Sequence, residues 1–279
     1  MDRADRVSLL GLSFDGVSMQ GAVDRCLKWC REPRAPHVVV TANAAILCVM
    51  NRDPELRKAC LNGDLVVADG MSVLWTSRLA GVGLPERVAG VDLMAHLLAA
   101  GSEHRLSAYF LGARKEVVSR LVERCAQDFP GLTVAGFRDG YFPGEEMDAV
   151  VDEIRALAPD MLFVGMPSPF KEAWCERHRE RLGVPVIMGV GGSFDVLAGY
   201  VRRAPTWVQS AGMEWFWRLA MEPRKMWKRY LRTNSEFLLL AAREIARHRL
   251  GRERAQPRPD APALESSRPA PRSRSGRGE

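Results

Sequence analysis

The stretch HVVVTANAAILCVMNRDPELRKACLNGDLVVADG, residues 37–70, decides how the rest of the chain is read. It opens with a β-branched run, HVVVTAN (37–43), that ends in polar residues. It closes with a second apolar run, DLVVADG (64–70), that stops at Asp69-Gly70. Between them DPELRKACLNG predicts a short helix, with Asp53 as N-cap and Pro54 at the first helical position, where a missing N–H costs nothing. Apolar strands separated by a helix point to parallel strands buried on both faces.

Outward from this unit the alternation continues. VDLMAHLLAAG predicts a helix closed by Gly101, SAYFLGA a strand, EVVSRLVERCAQDFPG a helix and LTVAGFRDGYF a strand with its loop. EEMDAVVDEIRALAPD predicts a helix, MLFVGMPSP a buried strand, KEAWCERHRERLG a helix, and VPVIMGVGGSFD a strand with a glycine turn. The expected fold is α/β, a mostly parallel sheet with helices on both faces, over residues 1–201. Right-handed crossovers bring all strand C-termini to one edge, where open α/β sheets bind ligands. Thr41, Asn43, Asp69, Gly70, Gly112, Asp139, residues 167–169 and residues 189–195 fall at that edge.

After residue 201 the composition changes. Residues 1–201 carry 22 Lys/Arg against 26 Asp/Glu, a net −4, whereas residues 202–279 carry 18 against 8, a net +10. Residues 202–251 hold four of the seven tryptophans and predict a basic, aromatic, helical appendage that Pro223 breaks in two. Residues 252–279 are rich in Pro, Arg and Ser and predict a disordered tail. A basic end on an acidic body calls for an anionic partner. Trp215, Trp217, Trp227, Tyr230 and Phe237 interleaved with Arg218, Arg224, Lys225, Lys228, Arg229 and Arg232 fit an anionic membrane surface, with no nucleic-acid partner. A helical cap packed on the body is compatible with that reading.

Other classes fall away. The N-terminus lacks the apolar stretch of a signal peptide, and no run approaches the length of a spanning helix. The six cysteines and five histidines show no metal-ligand spacing, so reduced thiols and no metal are expected.

Asp69, at the tip of a buried strand, is the foremost candidate for a general base; the alternatives are a cap for a helix starting at Met71 and a turn former. Thr41 and Asn43 offer neutral hydrogen bonds to a sugar or base, with Asn43 equally able to cap a helix from Ala44. Gly189, Gly191, Gly192 and Asp195, in GVGGSFD, form either a phosphate cradle or a tight turn. Phe194 breaks the dinucleotide fingerprint there, and the Walker lysine is absent. Arg87 can clamp a phosphate or make a salt bridge. Lys171 and Glu172 open a helix just after Pro167, with Glu172 also placed to complement the helix dipole. No DxD occurs, so a diphosphate must be neutralised by cationic side chains and helix termini.

Nine motifs follow in order: TAN (41–43), VADG (67–70), ERVAGVDL (86–93), FLG (110–112), GMPSPFKE (165–172), GVGGSFD (189–195), RAP (203–205), EWFWRL (214–219), and EPRK with WKRY (222–230). Over residues 6–235 the chain resembles the WecG/TagA/CpsF family of bacterial glycosyltransferases. The resemblance implies a Rossmann-like core whose C-terminal appendage closes the active site at the membrane. It also implies inverting, metal-independent and cofactor-free transfer from a UDP-sugar donor to a polyprenyl-diphosphate-linked sugar acceptor, on the cytoplasmic face of the membrane. The sugar would be N-acetylmannosamine, its uronic acid or another hexose, and the product a teichoic acid, capsule or exopolysaccharide precursor. Asp69 would be the base, with Thr41, Asn43 and Arg87 beside it and Arg218, Lys225 and Lys228 supplied by the appendage.

Two departures stand out. Lys171 takes the place of the usual glutamine, which would suit an acidic donor or a phosphate. Lys225 and Lys228 replace arginines, keeping charge without the bidentate fork. The rival readings are a nicotinamide-dependent oxidoreductase and a peripheral membrane adaptor. Homo-oligomerisation is left open.

Overall fold

The computed structural model describes residues 6–210, 212–221 and 223–255, with backbone alone at 206, 210, 218, 223–232 and 251–255. The chain enters through a short antiparallel hairpin, β1 (Arg6–Leu9) and β2 (Leu12–Asp15), that turns at Leu10 and Gly11. Six further strands form one parallel sheet: β3 (His37–Ala42), β4 (Leu65–Ala68), β5 (Ser107–Gly112), β6 (Thr133–Arg138), β7 (Met161–Gly165) and β8 (Val186–Gly189). Their order is β4-β3-β8-β7-β5-β6.

Strand alternation sorts the core into two layers. Val38, Val40, Ala42, Val66 and Ala68 face the hairpin and helices α2 (Ala44–Met50), α3 (Pro54–Leu61), α4 (Met71–Ala80), α7 (Met147–Leu157) and α8 (Phe170–Leu182). Val39, Leu65, Val67 and Met188 face α1 (Met19–Arg31), α5 (Gly90–Glu103), α6 (Lys115–Asp128) and α9 (Ser193–Leu197). This is the Rossmann-like α/β arrangement the sequence predicts. The chain leaves β3 toward one layer, through α2, and leaves β8 toward the other, through α9. A crevice therefore opens between the C-terminal ends of β3 and β8, at a topological switch point.

The local signals are realised where sequence alone could specify them. Asp53 caps α3, accepting from the Leu56 N–H, and Pro54 stands at its first position. Asn43 caps α2 through the Ala45 and Ile46 N–H groups. Gly101 departs from expectation. It lies inside α5, which runs on to Glu103, and serves close packing, since a Cβ there would fall 2.7 Å from Met161 Cε and 2.8 Å from Leu132 Cδ1.

The C-terminal residues form α10 (Thr206–Ser210), α11 (Glu214–Met221) and α12 (Pro223–Ala255); the break expected just before Pro223 falls on residue 222, outside the described residues. α12 packs across α2 and α4, burying Phe237 and Ala241. Burying one phenylalanine is worth about 1.5–3 kcal/mol. Polar contacts fix the direction of the helix. The Cys48 thiol meets the Thr233 carbonyl, Arg52 pairs with Glu236, and the Leu10 N–H of the hairpin faces Glu244. The helix passes Gly251 without stopping. Of the tail expected at 252–279, residues 256–279 lie outside the described residues, as do residues 1–5.

Candidate active site

Beyond the paired ends of β3 and β4 the chain places Asn43 and Asp69 side by side, where the Asp69 N–H donates to the Ala42 carbonyl at 2.9 Å. Thr41 and Asp69 are at odd positions and so face the α5 layer. Gly90 is the first residue of α5, and a Cβ on it would lie 3.1 Å from Thr41 Oγ1. Glycine is what lets the helix start come this close. The N-cap of α5, Ala89, has no side chain to satisfy the first turn. Instead the Gly90 N–H faces the Asp69 carboxylate. Asp69 does not cap the helix from Met71, whose N-cap is Gly70. Gly70 has φ 153° and ψ 138°, a conformation open only to glycine, and it turns the chain sharply after Asp69.

Asp69, just past the end of β4, keeps part of its surface open while protein surrounds the rest of it. Burial pushes its pKa up from 3.8 to about 6, and Glu214 and Asp92 push in the same direction; Arg87 and the Gly90 N–H oppose them. A carboxylate with a pKa near 6 is ionised at neutral pH and more basic than an ordinary aspartate, which suits proton abstraction.

Arg87, on the loop between α4 and α5, is nearly buried at 13% side-chain exposure. Its guanidinium binds Glu214 of α11 and lies 3.7 Å from Asp92 of α5. It is therefore neither a solvent-facing salt bridge nor an unoccupied phosphate clamp.

On the other side of β3 sits a second charged group. Lys171 and Glu172, in the first turn of α8, are both buried. The Lys171 ammonium binds Glu172 and the Ser168 hydroxyl, and Ser168 Oγ donates to Glu172 Oε1 at 2.7 Å. The aliphatic stem of Lys171 runs under Gly189, where a Cβ would come within 3.2 Å of Cδ and Cε. Among the described residues Glu172 Oε2 has no hydrogen-bond partner. Thr41, Glu172, Cys175 and Gly189 line one small cavity beside β3.

The remaining sequence candidates are distributed along the same edge. Pro167 is tied to α8 by its carbonyl, which accepts from the Lys171 N–H. Gly191 has φ 52° and, with Gly192, makes the turn into α9, whose first turn holds Asp195. Gly112 stands farther along, against Gly165 at the end of β7. The side chains of Arg218, Lys225 and Lys228 lie outside the described residues.

Sequence reasoning passed over Asp92, Arg203 and Glu214, although each lies inside a quoted motif. A different cleft, of about 640 Å³, opens at the opposite edge of the sheet, among Arg6, Asp15, Arg25, Asp64 and Arg179. Its arginines are engaged by Asp15 and Asp64, which fasten the hairpin and α8 to the sheet.

Among the described residues no helix is long and apolar enough to cross a membrane. Exposed apolar side chains gather instead on the C-terminal helices: Trp207, Trp215, Phe216 and Met221. Gly212 abuts the ring of Trp75, so the exposed Trp75 and Leu79 of α4 extend this surface onto the core.

Comparison with known proteins agrees with this geometry. Residues 7–251 match the model of the glycosyl transferase WecG/TagA/CpsF family. A Bacillus spizizenii protein named N-acetylglucosaminyldiphosphoundecaprenol N-acetyl-beta-D-mannosaminyltransferase is 36% identical over 193 residues, covering 69% of this chain and 74% of its own. The Bacillus subtilis protein of that name is 32% identical over 70% of this chain and 75% of its own. A Staphylococcus aureus counterpart is 31% identical over 82% of this chain and 89% of its own. With the sheet, the crevice and the ordered motifs, these matches establish that the chain is a glycosyltransferase and belongs to the WecG/TagA/CpsF family.

Proposed function

We propose that the chain transfers a neutral N-acetylhexosamine of the mannosamine type from a UDP-sugar to a polyprenyl-diphosphate-linked sugar. The observation that carries this reading is Asp69, a carboxylate with raised pKa at the C-terminal strand ends, beside Thr41 and Arg87. In the proposed step Asp69 takes the proton of the acceptor hydroxyl. The hydroxyl oxygen forms its bond to the anomeric carbon from the face opposite the diphosphate. The bond from that carbon to phosphate oxygen breaks, UDP leaves with the electron pair, and the configuration inverts. Arg87 and the turn before α9 supply positive charge where the leaving group develops negative charge, and the reading needs no metal.

The neutral donor is favoured because the Lys171 charge is already matched by Glu172. The cation that would have answered a uronic acid is thus neutralised within the chain. The relatives' names point to the same sugar class and to an acceptor built on undecaprenyl diphosphate. The test is transfer from UDP-N-acetylmannosamine, and from the corresponding uronic acid, onto a short polyprenyl-diphosphate N-acetylglucosamine. Product from the first donor and little from the second is expected. The reverse preference, or no product from either, would refute the assignment.

The division into a catalytic part (1–201) and an appendage (202–251) that meets the inner membrane face belongs to the same proposal. Basic residues combined with exposed Trp207, Trp215 and Phe216 support it. Trp207→Ser combined with Phe216→Ser is expected to reduce co-sedimentation with anionic vesicles while the melting temperature holds. Undiminished sedimentation would count against this surface.

A further inference from the structure

Arg203 lies in the extended segment between α9 and α10, far from the crevice in sequence, and its side chain is three-quarters buried. The Ala204 carbonyl, which accepts from Gln209 Nε2 at 2.7 Å, pins that segment in place. Both terminal nitrogens of the Arg203 guanidinium grip the Asp92 carboxylate as a fork, one of them at 2.6 Å from Oδ2. Its Nε stands 3.6 Å from Glu214 Oε1. The other oxygen of Glu214 takes Arg87, and Arg87 in turn faces Asp92. The four side chains close a ring, Arg87–Asp92–Arg203–Glu214, that joins α5, α11 and the two connecting loops.

The ring is built at the start of α5, two residues from the Gly90 N–H that faces Asp69. Three carboxylates, Asp69, Asp92 and Glu214, therefore share two guanidiniums. The charged groups facing Asp69 are Arg87 from the α4–α5 loop, Asp92 from α5 and Glu214 from α11; Thr41 on β3 is neutral. Arg203 does not itself face Asp69. It shares the charge of Asp92 and Glu214, so that Arg87 is not their sole cation. Without it, both carboxylates would draw on Arg87 alone.

We propose that Arg203 is a positioning residue of the transfer reaction, holding Asp92 and Glu214 so that Arg87 and Asp69 keep their arrangement at the start of α5. The proposal rests on Asp69 as the base, and its test separates the two. kcat/KM for transfer is measured against pH in the parent, Arg203→Gln, Arg203→Lys, Glu214→Gln and Asp69→Asn. In Arg203→Gln the less neutralised carboxylates should move the acid limb to higher pH, by about one unit. In Glu214→Gln one repelling charge is gone, and the limb should move to lower pH. Arg203→Lys, which keeps charge without the fork, should fall between parent and Arg203→Gln.

Opposite shifts from the two glutamine variants are what a merely structural contact would not produce. If Arg203→Gln does not fold, the Lys variant and Glu214→Gln carry the same test. Limbs unmoved in the folded variants, with the acid limb absent from the residual activity of Asp69→Asn, would overturn the positioning role and leave the base assignment standing. An acid limb that persists in Asp69→Asn would overturn both.

Discussion

Asp69→Asn is expected to lower transfer by about 10²–10⁴-fold, the usual contribution of a positioned general base. The substitution keeps the shape of the side chain, and an amide oxygen can still face the Gly90 N–H, so the start of α5 stays satisfied. The sign of the stability effect follows from the raised pKa. The folded state holds the Asp69 proton more tightly than the unfolded chain does, so ionisation costs stability. That cost is absent below the ordinary value of 3.8 and fully present above about 6. Asparagine escapes it, so the variant should melt no lower than the parent at pH 8 and should still bind UDP. Calorimetry and UDP titration check this beside the transfer assay. Lost activity together with a lowered melting temperature would instead make Asp69 a long-range helix cap. Activity near the parent's would remove it from the chemistry.

Arg87→Ala should cost about 10²–10³-fold in kcat at neutral pH, on the scale of removing one preorganised donor to developing charge. Two effects combine. The leaving diphosphate loses a guanidinium held in a water-poor site. Asp69 also loses its largest favourable partner, so its pKa climbs further and less of it is ionised at pH 7. Raising the pH to 9 should recover the second loss and not the first. Removing Arg87 also leaves Glu214 and Asp92 dependent on Arg203, so a lowered melting temperature is expected. Single-turnover rates at the two pH values measure both parts. A variant within a few-fold of the parent would mean that the diphosphate is held elsewhere.

Much of this architecture is legible in the sequence because it is local. The valines of 37–43 and 64–70 and the Asp53–Pro54 cap each carry their own signal within a few residues. The edge position of Thr41 and Asp69 then follows from crossover handedness. The hairpin escapes because four-residue strands are too short for alternation to register. Gly101 reads as a stop because sequence cannot distinguish a helix end from a close approach to Met161 and Leu132.

The ring around Arg87 was illegible for a different reason. Its arginines meet carboxylates 111 and 127 residues away, and no local pattern pairs them. The charge asymmetry also gains meaning in three dimensions. Glu214, Glu236 and Glu244, acidic residues of the basic appendage, turn toward the body, where Arg87, Arg52 and the hairpin N–H receive them. They fasten the appendage to the body with the few acidic residues it has.

The central claim, that Asp69 is the base of sugar transfer, is tested most directly by kcat/KM as a function of pH for the parent and for Asp69→Asn. The base works only when ionised, so the parent's rate should rise through about pH 6 and level off above it. The residual rate of Asp69→Asn should lack that rise. A parent profile without a limb near pH 6, or the same limb in both proteins, would contradict the claim.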